Sequence, residues 1–100
     1  MSLLTMDSLW NDLENIRRKR PLIHCITNSV VTNFTANALL SLGASPLMSH
    51  APEELEEIST LAWALVLNIG TLDKHQIESM ELAIQFSNVK SLPIVIDPVG

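Results

Sequence analysis

Polar or small residues follow four short apolar runs in this chain of 100 residues. In order along the chain these positions are His24, Thr27 and Asn28 after the first run, Met48 to His50 after the second, Asn68 and Gly70 after the third, and Asp97 after the fourth. If the runs are parallel strands, their carboxyl ends share one edge of a sheet, which is where open α/β sheets bind ligands. Polar groups that converge at such an edge favour a small-ligand pocket. The alternative is that each side chain only caps a turn or a helix start.

Asp97 lies between Ile96 and Pro98, at the end of the last apolar run. Burying a carboxylate there costs free energy unless the group is paired or solvated. One interpretation is that Asp97 holds Mg²⁺ beside phosphate groups, directly or through water, because Mg²⁺ is bound through few carboxylates and keeps several waters. The other is that it accepts backbone N–H bonds in the Asp-Pro turn. The residues alone leave both open.

The single cysteine and the three histidines do not indicate catalysis or a metal centre. Cys25 has no second cysteine for an internal disulfide, which fits a reducing cytoplasm. We expect it to be a buried thiol at a strand end rather than a nucleophile. His24, His50 and His75 lack the spacing of zinc ligands, and His75 is expected on an exposed helical turn.

The apolar runs alternate with helical patterns, which predicts an α/β fold with a mainly parallel sheet and right-handed βαβ crossovers in three αβα layers. Strands are expected near residues 22, 44, 64 and 94. The run at 62–69 is almost wholly apolar, as is typical of a strand buried on both faces. A first helix is predicted over 5–19, ended by Pro21, and the basic residues 17–20 suit its C-terminus.

Three further helices are predicted between the strands. The polar cluster at 27–29 can cap the first of them, which ends at Gly43, and Pro52 starts the second. The third covers about 74–89, with Asp73 and Gln76 in a capping box. The side chains expected to face the core are Leu55, Ile58 and Leu61 in the second of these helices and Ile77, Met80, Ala83 and Ile84 in the third.

Composition limits the class of protein. The chain is 47% hydrophobic and 17% charged, which is typical of a folded domain rather than a disordered tail. Its formal net charge of −5 argues against a nucleic-acid partner, which requires a basic face. It contains no apolar run long enough for a membrane span and no signal-peptide pattern at its start. We therefore expect a cytoplasmic protein with a small-molecule ligand.

Three blocks in this order and spacing resemble hydroxyethylthiazole kinase of thiamine biosynthesis. They are HCITNSVVTNFTANALLSLGASPLM at 24–48, ALVLNIGTL at 64–72 and PIVIDPVG at 93–100. The resemblance implies a ribokinase-like fold and ATP-dependent, Mg²⁺-dependent phosphorylation of a thiazole alcohol by a homotrimer with sites between subunits. It implies that Met48 contacts the thiazole and that Asp97 lies in the phosphate and metal region. Asn28 is the candidate for a polar substrate contact, and Gly70 lets the ligand approach the backbone.

The chain has three glycines and neither common glycine-rich nucleotide loop. The family places its nucleotide loop and catalytic residue later in the chain, so we expect them beyond residue 100. Residues 1–100 are accordingly interpreted as a single partial domain, the amino-terminal portion of such a kinase, inactive alone. Two alternatives stay open. One is a truncated, non-catalytic module that binds a ligand or self-associates, and the other is an unrelated small α/β binding domain, flavodoxin-like in layout.

Overall fold

The computed structural model describes residues 4–98. The helices and strands are α1 (Met6–Lys19), β1 (Leu22–Ile26), α2 (Thr32–Leu42), β2 (Ser45–Met48), α3 (Leu55–Leu61), β3 (Ala64–Asn68), α4 (Lys74–Val89) and β4 (Ile94–Asp97), with a 3-10 turn at Pro52–Glu54 before α3. The alternation of strands and helices is as predicted. Val99 and Gly100, the last residues of the third block, lie outside the described residues.

The four strands form one parallel sheet in the order β2-β1-β3-β4. In the register of the sheet, Cys25 of β1 lies between Met48 of β2 and Val66 of β3, and Asn68 lies opposite Asp97 of β4. The carboxyl ends of all four strands therefore meet at one edge. This arrangement places the predicted polar residues on the same side of the molecule.

Helices cover both faces of the sheet, which confirms the three-layer α/β prediction. From β1 the chain crosses to β2 at one edge of the sheet. From β2 it crosses in the opposite direction, past β1 to β3 and then to β4. Because such crossovers are right-handed, α2 lies on one face and α3 and α4 lie on the other. The first helix, α1, packs against α2. Gly43 ends α2 with a φ of +98°, and a Cβ there would lie 2.9 Å from the Arg17 Cα of α1, so a glycine is required on both counts.

The core lies between the sheet and the pair α3 and α4. Its buried members are Ile26, Leu55, Leu65, Leu67, Met80 and Ala83. The opposite face is less covered, since Val66 is only half-buried and Val95 is exposed. The prediction that the strand at 62–69 is buried on both faces is therefore only half right for β3. Among residues 4–98, no helix is long and apolar enough to cross a membrane.

Two predicted core positions are wrong. Leu61 is 60% exposed because α3 ends at this residue, and Ile77 is 42% exposed. In α4 the buried stripe contains Ser79 and Ser87 beside Met80 and Ala83. The Ser79 Oγ donates to the backbone carbonyl of His50 at 2.6 Å, so this small polar side chain is satisfied where it is buried. The rotation of α4 about its axis is thus set partly by a hydrogen bond and not by apolar periodicity alone.

Candidate functional site

A cleft of about 240 Å³ opens at the carboxyl edge of the sheet, between the loops that follow β1 and β2. Its lining residues are Cys25, Ile26, Thr27, Ser29, Thr32, Met48, Ser49, His50 and Gln76. Met48, the predicted thiazole contact, lies in this wall and is half-buried. The Thr27 Oγ1 is buried and has no hydrogen-bond partner among residues 4–98. Unused hydrogen-bonding capacity of this kind is uncommon and marks a polar position in the cleft wall.

Asn28 is buried between two residues that line the cleft, and its side chain shapes the loop after β1. The Asn28 Oδ1 accepts backbone N–H bonds from Val30 at 2.9 Å and Val31 at 3.2 Å. The Thr32 hydroxyl donates to the Asn28 carbonyl at 2.8 Å. The predicted cap thus exists, but it closes a turn ahead of the helix, because α2 begins only at Thr32. Asn28 therefore caps a turn, which is the alternative to a ligand contact that the sequence left open.

Asn68 joins Asn28 to Asp97 across three strands. The Asn28 Nδ2 donates to the Asn68 Oδ1 at 2.9 Å, and the Asn68 Nδ2 donates to the Asp97 Oδ2 at 3.4 Å. The backbone N–H of Gly70 also donates to the Asn68 Oδ1, at 3.0 Å. We call Asn28, Asn68 and Asp97 the polar chain. Through Asn68, the polar chain connects three of the four predicted site residues, Asn28, Gly70 and Asp97. The fourth, Met48, lies in the cleft wall.

Asp97 is exposed at the end of β4, so the desolvation cost considered from the sequence does not arise in the described chain. Residues 4–98 contain no group of three or more His, Cys, Asp or Glu side chains placed to hold a metal ion. Mg²⁺ does not need such a cage, because it is commonly bound through one or two carboxylates together with substrate phosphates and water. One exposed carboxylate at the carboxyl edge of the sheet fits that donor set.

Burial sets the chemistry of the two titratable groups at the end of β1. The Cys25 thiol is buried, and this raises its pKa to about 11. The thiol is therefore protonated near neutral pH, which agrees with the expectation that Cys25 is not a nucleophile. His24 lies within β1 rather than in the turn after it and is 3% exposed. Burial lowers the pKa of His24, and the hydrogen bond with the Ser49 carbonyl opposes this effect.

The His24 ring fixes the wall of the cleft at Ser49. Because a carbonyl only accepts, the His24 Nε2 carries the proton and donates to the Ser49 oxygen at 2.7 Å. Above a pH of about 6.5, the reference pKa of histidine, both folded and unfolded chains hold this ring neutral. As the pH falls below that value, the unfolded chain binds a proton that the folded chain resists. The contribution of His24 to the free energy of unfolding is therefore fully present above the pKa that His24 has in the unfolded chain. It is lost as the pH falls towards the lower pKa that His24 has in the folded chain.

We predict that the free energy of unfolding decreases between pH 7.5 and pH 5.5, with a contribution from His24 of at most about 1.4 kcal/mol per pH unit. Urea denaturation at the two pH values measures the change. His24→Gln keeps an N–H donor and removes the titration, so its stability is expected to depend less on pH. The other two histidines are present in both proteins and cancel in the comparison. An identical pH dependence in the two proteins would contradict the prediction.

Two side chains of α4 hold the loops on either side of the cleft. The Gln76 Nε2 donates to the Thr27 carbonyl at 3.1 Å, and Ser79 donates to His50 as described above. The predicted capping box is thus half right, since the Asp73 Oδ1 accepts from the Gln76 backbone N–H at 2.8 Å while the Gln76 side chain points to another loop. Gln76 was not among the predicted site residues, and Asn68 was predicted only as one of the polar residues at the sheet edge, without a role. The position of Asn68 at a strand end was the only sequence signal for it.

A sequence profile described as the hydroxyethylthiazole kinase family matches residues 13–100. A hydroxyethylthiazole kinase of Nitratidesulfovibrio vulgaris (strain DP4) is 52% identical over 98 residues, which are 98% of this chain and 37% of that protein. One of Pyrococcus abyssi is 55% identical over 95 residues, which are 95% of this chain and 36% of that protein.

A solved structure of a hydroxyethylthiazole kinase protein from Pyrococcus horikoshii OT3 is similar in fold. It superposes with a TM-score of 0.91 and 56% identity, and the match covers 95% of this chain and 37% of that one. The chain thus spans somewhat more than a third of the length of the relatives that it matches.

Proposed function

The chain belongs to the hydroxyethylthiazole kinase family, and we propose that the whole protein transfers the γ-phosphoryl group of ATP to the hydroxyethyl group of 4-methyl-5-(2-hydroxyethyl)thiazole in thiamine biosynthesis. The observation that carries the proposal is the family match over 13–100, which contains all four strand ends. In this proposal residues 1–100 supply the thiazole-binding part of a larger domain. The cleft at the carboxyl edge of the sheet supports that role.

Three residues of the described edge are proposed to bind the thiazole alcohol. Met48 packs its thioether against the flat heterocycle, and sulfur–aromatic contacts of this kind contribute about 0.3–1.5 kcal/mol. Within residues 4–98, Asn28 uses both lone-pair directions of its Oδ1 and one N–H, and its second amide N–H is proposed to donate to a ligand. Gly70 has no Cβ and lets the ligand approach the backbone.

The proposed transfer breaks the bond between the γ-phosphorus and the bridging oxygen of ATP and forms a bond from that phosphorus to the substrate hydroxyl oxygen. The hydroxyl proton passes to a base, and ADP leaves. Asp97 is proposed to be the residue that would hold Mg²⁺, directly or through water, and such an ion would supply positive charge beside the phosphate oxygens. The nucleotide loop and the catalytic residue are proposed to lie outside residues 1–100, in the part of the relatives that this chain does not match.

The protein is further proposed to be a cytoplasmic homotrimer with its sites between subunits. Exposed apolar side chains on α1 and α2 support an interface, among them Met6, Trp10 and Phe34. A second proposal, a non-catalytic module that self-associates, is favoured by one separate observation. Val95 and Ile96 are both 55% exposed on β4, which is an edge strand of the described sheet. Such an edge offers unpaired backbone groups to another chain.

We predict that the 100-residue chain binds the thiazole alcohol saturably but does not phosphorylate it. Binding is measured by isothermal titration with the alcohol, and turnover by ADP release in the presence of ATP and Mg²⁺. Sedimentation at tens of micromolar, where self-association is expected, reports the assembly state in the same samples. Turnover by the 100-residue chain would refute the division of function proposed here. The absence of any binding would refute the assignment of the cleft.

A further inference from the structure

Gln76 is placed in the cleft wall by a part of the chain remote from both loops. It lies in the first turn of α4, where its backbone N–H is held by the Asp73 side chain. Its side chain reaches the Thr27 carbonyl at 3.1 Å and lines the cleft beside that loop. A glutamine that served only to cap its own helix would bond to the backbone of Asp73 instead. The side chain is therefore directed at the cleft wall.

The partner of the Gln76 amide fixes which way the amide faces. A backbone carbonyl can only accept, so the NH₂ group of Gln76 must face Thr27. This leaves the Gln76 Oε1 as the remaining polar atom of the side chain. The Oε1 has no hydrogen-bond partner among residues 4–98. The cleft wall thus contains a hydrogen-bond acceptor whose orientation is determined by the fold and not by the ligand.

The surroundings hold that acceptor in place. Ser79, one turn further along α4 and 1% exposed, donates to the His50 carbonyl at 2.6 Å. His24 donates to the Ser49 carbonyl at 2.7 Å on the same loop. The loop after β2 and the loop after β1 are therefore both tied to fixed elements. A polar group held rigidly discriminates between ligands better than a mobile one, because little side-chain entropy is lost when the ligand binds.

We propose that Gln76 is a specificity-determining residue of the cleft, whose Oε1 accepts a hydrogen bond from a ligand hydroxyl group. A fixed acceptor favours an alcohol and disfavours groups that only accept, such as an ether or a carboxylate. Ligands that lack the hydroxyl leave the acceptor unsatisfied, and such a mismatch costs affinity. This proposal rests on the proposed function, since the hydroxyl of the hydroxyethyl arm of the thiazole alcohol is the group that donates to the Gln76 Oε1.

The test compares two ligands that differ only in the hydroxyl group. The thiazole alcohol and 5-ethyl-4-methylthiazole are titrated into the 100-residue chain and into its Gln76→Leu variant. We expect the wild-type chain to prefer the alcohol, and Gln76→Leu to weaken binding of the alcohol about fivefold while leaving the ethyl compound unchanged. Gln76→Met, which keeps the side-chain length, is the second variant. Gln85→Leu, an exposed glutamine on the same helix, is the matched control and is expected to change neither affinity.

The outcomes separate the two proposals. Equal weakening of both ligands by Gln76→Leu and by Gln76→Met would show a structural role, which overturns the specificity proposal but leaves the proposed function standing. Equal affinity of the wild-type chain for the two ligands would also overturn the specificity proposal. If the wild-type chain binds neither ligand, both proposals fail. Thermal unfolding of each variant confirms that the fold is retained.

Discussion

Asn28→Ala is expected to lower the free energy of unfolding by about 2–3 kcal/mol. The substitution removes the side-chain acceptor of the Val30 and Val31 backbone N–H groups and the donor to Asn68. The Val31 N–H keeps the Asn28 backbone carbonyl at 3.3 Å, and the Asn68 Oδ1 keeps the Gly70 N–H at 3.0 Å. Each intramolecular hydrogen bond contributes about 0.5–1.5 kcal/mol net, so losing the three bonds of the Asn28 side chain together accounts for an effect of this size. The effect is measured as the change in the urea unfolding midpoint at constant slope.

A matched control and a second substitution at position 28 test the contribution of Asn28. Asn37→Ala, at an exposed position on α2, is the matched control and is expected to change stability by less than about 0.5 kcal/mol. Asn28→Asp keeps an acceptor for the turn but places a carboxylate against the Asn68 oxygen that the amide formerly reached. We expect it to be destabilising as well. If Asn28→Ala unfolded at the same urea concentration as Asn37→Ala, the polar chain would not be a structural element.

The sequence predicted those features that depend on neighbours along the chain. Asp73 caps α4 and the helix covers 74–89 as expected, because capping and periodicity act within a few residues. The parallel sheet followed from the alternation of apolar runs and helices. The convergence of strand ends at one edge is a consequence of that topology, which is why Met48 could be placed at this edge without a structure. Its role as a thiazole contact was implied only by the resemblance.

The features that the sequence did not predict depend on partners far apart in the chain. Gln76 contacts Thr27, and Asn68 contacts Asn28, across separations of 49 and 40 residues. At the level of sequence Gln76 satisfied a local capping pattern, so nothing indicated that its side chain would leave Asp73. Ile77 was placed in the core by apolar periodicity, whereas α4 turns Ser79 inward, where the Ser79 hydroxyl donates to the His50 carbonyl. In each case a tertiary contact overrides a local preference.

The loop after β1 connects the two parts of the site. Thr27 and Ser29 line the cleft, and Asn28 between them begins the polar chain that leads to Asp97. A ligand held by this loop would therefore lie next to residues joined to the proposed phosphate and metal region. In a phosphoryl-transfer enzyme most of the catalytic effect comes from positioning and electrostatic stabilisation. The hydrogen-bonded path from Asn28 to Asp97 is a physical means of holding the two regions in a fixed relation.

Met48→Ala is expected to weaken binding of the thiazole alcohol by about tenfold. The substitution removes the thioether and most of the apolar surface that Met48 contributes to the cleft wall. The affinity is measured by isothermal titration of the 100-residue chain. Met6→Ala is the matched control, because Met6 is 81% exposed on α1 and lies outside the cleft lining. It is expected to leave the affinity unchanged.

Met48→Leu separates the contribution of sulfur from that of volume. Leucine fills a similar space without the polarisable thioether, so it is expected to recover most of the affinity and to lose only the sulfur–aromatic part, about twofold, against about tenfold for Met48→Ala. Met48 lies in β2 and is half-buried, so the stability of each variant is determined in parallel by urea unfolding. A folded Met48→Ala chain that binds the thiazole alcohol as tightly as the Met6→Ala control would mean that the heterocycle does not lie against Met48. The cleft between the loops after β1 and β2 would then not be the thiazole site.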